Sequence, residues 1–170
     1  MDQPEIILMA AVSQNNVISI DGKLPWRIKE DMARFTQLTT PHPIVMGRVT
    51  YESIPQKYRP LPGRQNVILT RDSSFGENGI FVVHSLEEAL ESLNQRKLYM
   101  EGIYYSKIFI GGGQQVYEQA LPYATLLEIT HVHQKVNGEN LQYFPEIFPE
   151  WNEQKREDKE GYSFVTYGMI

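Results

Sequence analysis

Six short apolar runs punctuate the chain: Ile6 to Val12, Pro43 to Met46, Asn66 to Thr70, Ile80 to His84, Lys107 to Ile110 and Leu126 to Val132. They are rich in Ile, Val and Leu and largely fail to alternate, the pattern of strands covered on both faces. Between most of them the period becomes helical, at Ile28 to Leu38, Arg48 to Ile54, Leu86 to Leu93 and Gln115 to Leu121. The third helix opens on Ser85-Leu86-Glu87-Glu88, a series in which a hydroxyl and an acid can satisfy the free N–H groups of a first turn. Alternating strands and helices predict an α/β fold with a mostly parallel sheet and helices on both faces. The end differs. Trp151 to Lys159 is charged and mixed, Gly161 is a turn residue and Tyr162 to Tyr167 alternates, which predicts a final hairpin laid antiparallel to the sheet. No repeat or linker divides the chain, so residues 1–170 are expected to form one domain. Asn15 to Lys23, Gln56 to Gln65 and Lys135 to Pro145 read as loops, long enough to carry function.

One carboxylate falls inside this pattern. Pro25 favours an extended Leu24, and the helix that follows carries Ile28, Met32, Phe35 and Leu38 on one face, which is expected to be buried. Asp31 precedes Met32 and lies one turn before Phe35, so its side chain projects along the edge of that face. A carboxylate there must be paired, solvated through a cleft, or used. The plainer alternative is that Lys29-Glu30-Asp31 is a first turn whose acids complement the helix dipole.

Composition narrows the choices. A net charge of −5 disfavours nucleic acid or an anionic membrane as partner. With no cysteine, disulfides and thiol catalysis are excluded. No stretch reaches the roughly 20 apolar residues of a membrane span. The Ile6 to Val12 run is short and preceded by acids, so no secretory signal is read and a cytoplasmic location is expected.

Two strand-to-helix turns have the residues of a phosphate site. Ile108 to Ile110 runs into Gly111-Gly112-Gly113 and a helix, where small residues let backbone N–H groups approach an anion, although the third glycine of the usual dinucleotide fingerprint is absent. The second, Met46-Gly47-Arg48-Val49-Thr50, adds a guanidinium and a hydroxyl. A further strand ends in Leu69-Thr70-Arg71, at the same carboxyl edge. Arg48 and Arg71 together suit a phosphate monoester such as the 2′-phosphate of NADP. In Pro62-Gly63-Arg64 a third arginine is placed to clamp a carboxylate or phosphate, or else is a solvated turn charge. His131 and His133 share a strand face, but no third ligand stands nearby, so no metal is expected. A serine nucleophile is not supported, because no Gly-x-Ser-x-Gly turn occurs.

The order of the pieces is more specific than any one of them. Ala10-Ala11, Asn16-Val17-Ile18, Leu24-Pro25-Trp26, Asp31 with Phe35, Met46-Gly47-Arg48-x-Thr50-x-Glu52-Ser53-Ile54 and Leu61-Pro62-Gly63-Arg64 occur in this sequence. Ile110-Gly-Gly-Gly, Val116-Tyr117-Glu118, Thr130-His131 and Phe144-Pro145 follow them. Together, over essentially the whole chain, they resemble the dihydrofolate reductase family. Loss of Asp31 would have marked a non-catalytic nucleotide-binding relative, and the related reductase of riboflavin synthesis would not need Asp31 and Phe35 in this pattern.

The resemblance implies NADPH-dependent reduction of 7,8-dihydrofolate to tetrahydrofolate, by hydride transfer to C6 and protonation at N5, in support of one-carbon metabolism. It implies an eight-stranded sheet with an antiparallel carboxyl-terminal strand, a monomer, and antifolate inhibitors as further ligands. Asp31 would bind the pteridine amino group and N3 and support protonation, with Thr130 hydrogen-bonded to that carboxylate or to the pterin amino group and Trp26 completing the catalytic group. Met32, Phe35, Ile54 and Leu61 would wall the substrate, Ala11 would touch it by backbone, and Arg64 would hold its glutamate carboxylate. Ala11, Ile18 and Tyr117 would surround the nicotinamide. Arg48, Thr50, Gly113, Gln114 and Gln115 would hold the phosphates, Thr70 and Arg71 would join Arg48 at the 2′-phosphate, and Gly47, Val49, Leu69, Gly112 and Val116 would complete the cofactor contacts. A cis peptide is expected at Gly112-Gly113, and Asn15 to Trp26 would be a mobile lid. This chain departs from the family pattern at three places. Ser19 replaces a lid glycine, Gly111 replaces a bulkier residue and leaves that pocket wall more open, and Asn137 to Pro145 is about two residues longer, lacks an Asp-Thr pair, and leaves open how it engages the lid.

Overall fold

The computed structural model describes residues 3–147 and 149–170. Ten strands and four helices follow the chain as β1 (Glu5–Val12), β2 (Val17–Ile20), α1 (Lys29–Thr39), β3 (Pro43–Gly47), α2 (Arg48–Ser53), β4 (Gln65–Leu69), β5 (Ile80–Val83), α3 (Leu86–Asn94), β6 (Lys107–Ile110), α4 (Gln114–Ala120), β7 (Leu126–Val132), β8 (Leu141–Tyr143), β9 (Trp151–Lys159) and β10 (Tyr162–Met169). Eight of the strands form one sheet in the order β5-β4-β3-β6-β1-β7-β10-β9. The pairs from β5 through β7 are parallel, while β10 is antiparallel to both β7 and β9. The predicted hairpin is therefore present, and it closes one side of a sheet built on β-α-β crossovers.

The non-alternating apolar runs have a simple cause. Successive side chains leave opposite faces of a strand, and each face of this sheet carries its own apolar layer. On one face Ile7, Met9, Ile44, Met46, Ile68 and Phe109 pack with Tyr51, Phe35, Leu38 and Ile54. The other face presents Leu8, Val45, Val67, Ile108 and Ile110 to Leu86, Ala89 and Leu93 of α3 and Val116 and Ala120 of α4. Ser85 caps α3 as its sequence predicts, its Oγ accepting from Glu88 N at 3.0 Å. The Glu88 carboxylate reaches one residue further back, to His84 N at 2.8 Å.

Two expectations are corrected. The stripe of α1 is not fully buried: Met32 is 51% exposed, and Ile28, Phe35 and Leu38 are only half-buried, because the sheet-face layer covers this side of the helix only in part. The segments Asn15 to Lys23 and Lys135 to Pro145 are not simply loops, since β2 and β8 within them form a separate two-stranded antiparallel sheet, with Val17 opposite Tyr143, Ser19 opposite Gln142 and Ile20 opposite Leu141. Short polar side chains make this pairing possible. Asn16, Asp21 and Asn140 take the left-handed corners at φ of 68°, 49° and 54°, which Asn and Asp tolerate better than other non-glycine residues. Gly138, at φ 149°, allows the backbone to pass against Ile20, whose Cδ1 would lie 2.6 Å from an added Cβ.

Candidate active site

At the carboxyl edge of the sheet, the first turn of α1 meets β7. Thr130, 2% exposed, donates its hydroxyl to Asp31 Oδ1 at 2.5 Å. Burial pushes the Asp31 carboxyl above its ordinary pKa, while the Thr130 hydroxyl and the positive charge of Arg34 work against that rise. Asp31 is thus not a free helix-start acid, and it forms no ion pair among the described residues. Trp26 precedes α1 and carries an indole N–H sealed from solvent with no acceptor among the described residues.

A half-buried apolar face continues along α1. Phe35, Ile54 and Leu61 are half-buried against the sheet-face layer of Ile7, Met9, Ile44 and Met46, whereas Met32 stands at the rim. Two turns beyond Asp31, the side chain of Thr39 marks the other end, where Arg64 Nη1 donates to Thr39 Oγ1 at 3.3 Å and Arg64 Nε to Pro62 O at 3.0 Å. The Arg64 guanidinium also lies 5.9 Å from the centre of the Phe35 ring. Arg64 is 4% exposed and therefore not a solvated turn charge. Burial pulls its pKa below the ordinary value, and no carboxylate among the described residues offsets that burial. Along α1 the eight residues from Asp31 to Thr39 rise about 12 Å, so an acid and a cation with no ion-pair partner among the described residues stand at opposite ends of a half-buried apolar face.

The two phosphate-type turns converge. Gly47 N donates to Gly112 O at 2.8 Å, and a Cβ on Gly47 would lie 3.5 Å from Val116 and 4.0 Å from Gly113 N. Neither α2 nor α4 receives a side-chain cap, so the N–H groups at both helix starts remain available. Space at this point exists only because residue 113 is glycine: an added Cβ would approach Thr50 Oγ1 at 3.2 Å and Gln142 Oε1 at 3.0 Å. The expected cis peptide is present at Gly112-Gly113. Gln114 is already engaged, accepting from Tyr143 N at 2.8 Å, while Gln115 is exposed. Nearby, Ile18 and Tyr117 are buried, and the Tyr117 hydroxyl donates to Met9 O at 2.7 Å. Ala11 pairs with Thr130 across β1 and β7 and is half-buried.

The arginine bracket differs from its expectation. Arg48 does come beside the turn that follows β4, but through Asp72, at 2.9 Å, and it is also held by Glu52 at 2.8 Å and stacked 4.2 Å from the Phe75 ring centre. Two acids therefore already share its charge. Arg71 is exposed, Thr70 is 9% exposed with its Oγ1 accepting from Asp72 N, Leu69 is half-buried, and Val49 is 70% exposed at the rim. Glu52 lies four residues after Arg48 and was legible as a helical ion pair, whereas the Asp72 contact depends on the register of β3 and β4.

Two departures from the family pattern acquire structure here. Gly111 does not open the wall as expected, because the Ile44 side chain occupies that side, with Cδ1 at 3.2 Å from an added Cβ. The longer loop is joined to the Asn15 to Trp26 segment by bonds its residues did not announce. Asn16 Nδ2 donates to Phe144 O at 2.6 Å, Asn15 exchanges bonds with the Val136 backbone at 2.8 and 2.9 Å, Asn140 Nδ2 donates to Asp21 Oδ1 at 2.8 Å, and Ser19 Oγ donates to Gln142 Oε1 at 3.3 Å. His131 and His133 face Tyr167 and Ser163 at 2.8 and 2.9 Å. No acid–histidine cluster suited to a metal and no helix long and apolar enough to cross a membrane occurs among the described residues.

The family model described as dihydrofolate reductase matches residues 5–168. A dihydrofolate reductase of Mycobacterium tuberculosis is 46% identical over 125 residues, covering 74% of this chain and 70% of its own. The dihydrofolate reductase of Neisseria gonorrhoeae is 37% identical over 170 residues, covering 96% of this chain and 97% of its own. Among solved structures, the dihydrofolate reductase from Enterococcus faecalis complexed with NADP(H) and RAB-propyl superposes with a TM-score of 0.83 at 28% identity, over 98% of this chain and 97% of that one.

Proposed function

The chain belongs to the dihydrofolate reductase family, and from that premise we propose how its cleft divides the work of the reaction. Its activity is reduction of 7,8-dihydrofolate to 5,6,7,8-tetrahydrofolate with NADPH as cofactor. The observation that carries the assignment of roles is the pair of unlike ends. A carboxylate, Asp31, is held by Thr130, and about 12 Å along α1 a buried guanidinium, Arg64, has no acid among the described residues to neutralise it. That spacing suits a molecule with a hydrogen-bonding bicyclic head, an aromatic spacer and a carboxylate tail.

In this reading Asp31 takes the amino group and N3 of the pteridine. Thr130 orients the carboxylate by its donated hydrogen bond, and the unpaired Trp26 indole N–H is free to hold a polar group at the same end. Negative charge on Asp31 raises the proton affinity of the bound ring and so favours protonation at N5. Ala11, Met32, Phe35, Ile54 and Leu61 pack on the rings and Arg64 binds the glutamate carboxylate, supported by the polarity of the cleft from end to end. The cofactor's residues fit the space found at Gly113. Gly47, Thr50, Gly112, Gly113, Gln114, Gln115 and Val116 would hold phosphate groups at the two uncapped helix starts. Arg48, Val49, Leu69, Thr70 and Arg71 would take the adenosine end, and Ala11, Ile18 and Tyr117 the nicotinamide. NADPH when bound supplies the hydride. The β2–β8 ties position the lid that excludes water from that transfer.

We further assign antifolate inhibitors to the dihydrofolate cleft, by similarity to the Enterococcus faecalis protein complexed with RAB-propyl. The finer assignments are a monomeric, cytoplasmic protein whose residues 1–170 make one domain. The decisive experiment is the Asp31→Asn variant, which keeps size and an acceptor for Thr130 but no charge. Turnover at neutral pH should fall by roughly 10²- to 10⁴-fold, with the residual rate climbing as pH is lowered. Near-normal turnover at saturating substrate would remove Asp31 from the mechanism.

A further inference from the structure

Two parallel ties bind α1 to β7. Asp31 and Arg34 are neighbours on the helix, and Glu128 and Thr130 share one face of the strand. Thr130 bonds Asp31, and one turn further along Arg34 Nη2 meets Glu128 Oε2 at 2.7 Å. The second tie is well enclosed, with Arg34 and Glu128 side chains 21% and 13% exposed. It is also built from a third element. Arg34 stacks 4.7 Å from the centre of the Phe164 ring, and Thr166, opposite Glu128 in β10, donates its hydroxyl to that carboxylate at 2.9 Å. Arg34 Nη1 is sealed from solvent with no acceptor among the described residues, so the guanidinium is held by stacking and by its single ion pair.

We propose that Arg34 and Glu128 are positioning residues that set the charge environment of Asp31, the guanidinium favouring its ionised form and the Glu128 carboxylate limiting that influence. The proposal rests on Asp31 being the carboxylate that serves the pterin. Other charged or titratable groups face the same region. Glu30 is bonded to Tyr162 and lies 3.4 Å from Lys159, where solvent screens the set, and Tyr117 on α4 is kept neutral by burial. Arg34 stands three residues after Asp31 on the same side of α1, and a low-dielectric surrounding lengthens the reach of its charge beyond direct contact. Because Glu128 neutralises Arg34, the two members of the pair act on Asp31 with opposite sign.

Opposite sign is what distinguishes a charge effect from simple loss of packing. Arg34→Met removes the charge but keeps an apolar stem on Phe164, and should move the pH midpoint of single-turnover reduction upward by roughly 0.5 to 1 unit. Glu128→Gln, which leaves Arg34 uncompensated, should move it downward by a similar amount. The double variant should return close to the parent, and Arg34→Lys, retaining the charge, should hold the parent midpoint. The carbon-13 titration of the Asp31 carboxyl in the free enzyme should shift in the same directions, and it reads the pair independently of catalysis. Midpoints that move the same way in both single variants, stay fixed, or follow Arg34→Met in Arg34→Lys would overturn the proposal. Full activity in Asp31→Asn would instead overturn the pterin assignment, while the carboxyl titration still decides whether the pair acts on Asp31.

Discussion

Replacing Arg64 by leucine should separate two quantities that usually fall together, substrate capture and stability. In the folded protein the guanidinium is 4% exposed, donates to Thr39 Oγ1 and Pro62 O, and is neutralised by no carboxylate among the described residues. A buried charge in that condition carries a desolvation cost with no ion pair to offset it. Leucine removes both the cost and two hydrogen bonds, so the two changes oppose each other and Tm should move by less than about 4 °C, the shift that 1 kcal/mol produces in a chain of this size. Binding should respond differently. A hydrogen bond to a charged group is worth about 1.5–3 kcal/mol, so kcat/KM for dihydrofolate should drop by about 10- to 150-fold, mostly through KM. A pterin substrate lacking the glutamate tail presents no carboxylate and should lose less than about threefold. The assay is steady-state NADPH oxidation with each substrate, beside a thermal melt of the free protein. Equal losses for both substrates, or a collapse of Tm, would show that Arg64 supports the fold and does not capture a carboxylate.

Asp31→Asn should also change stability with pH. Burial raises the folded pKa of Asp31 above its unfolded value, so the native acid favours its proton; the stability this gives is complete below the unfolded pKa and is lost as pH rises through the folded one. The variant should therefore melt above the parent at pH 7 and match it at pH 3, and a parent that is the more stable at pH 7 would contradict the inferred burial. Asp72→Asn should release Arg48 from one of its two acids and tighten NADPH by about 3- to 10-fold with NADH nearly unchanged, measured by cofactor fluorescence titration. A parallel change for both cofactors would place the 2′-phosphate elsewhere. In Gly138→Ala the new Cβ would meet Ile20 at a φ few side chains adopt, so the β2–β8 pair should loosen, with faster hydrogen exchange at Val17 to Ile20 and core protection retained. Unchanged exchange there would show that the pairing does not depend on this close approach.

Much of this protein was legible before any coordinates. The apolar runs around Ile6, Val45, Val67 and Ile108 cannot alternate if both faces of the sheet are covered, and that local pattern already determined a parallel sheet with helices on each side. Ser85 announced its helix because a cap is a local bond, satisfied within three residues. Asp31 could be placed at the edge of an apolar stripe for the same reason, since neighbours on a helix are determined by its turn. What the chain could not declare are relations between residues far apart along it. The β2–β8 pair joins segments more than a hundred residues apart, tied by Asn and Asp side chains that look like ordinary loop residues, and strands of four and three residues are too short to show a period. Arg48 carried the signature of a free phosphate ligand, yet its balance of charge depends on Asp72, delivered by the register of β3 beside β4. The buried isolation of Arg64 and the Arg34–Glu128 tie are of the same kind. A sequence pattern states which faces a residue can present, while pairing, desolvation and net local charge are properties of the neighbours that tertiary packing brings to those faces.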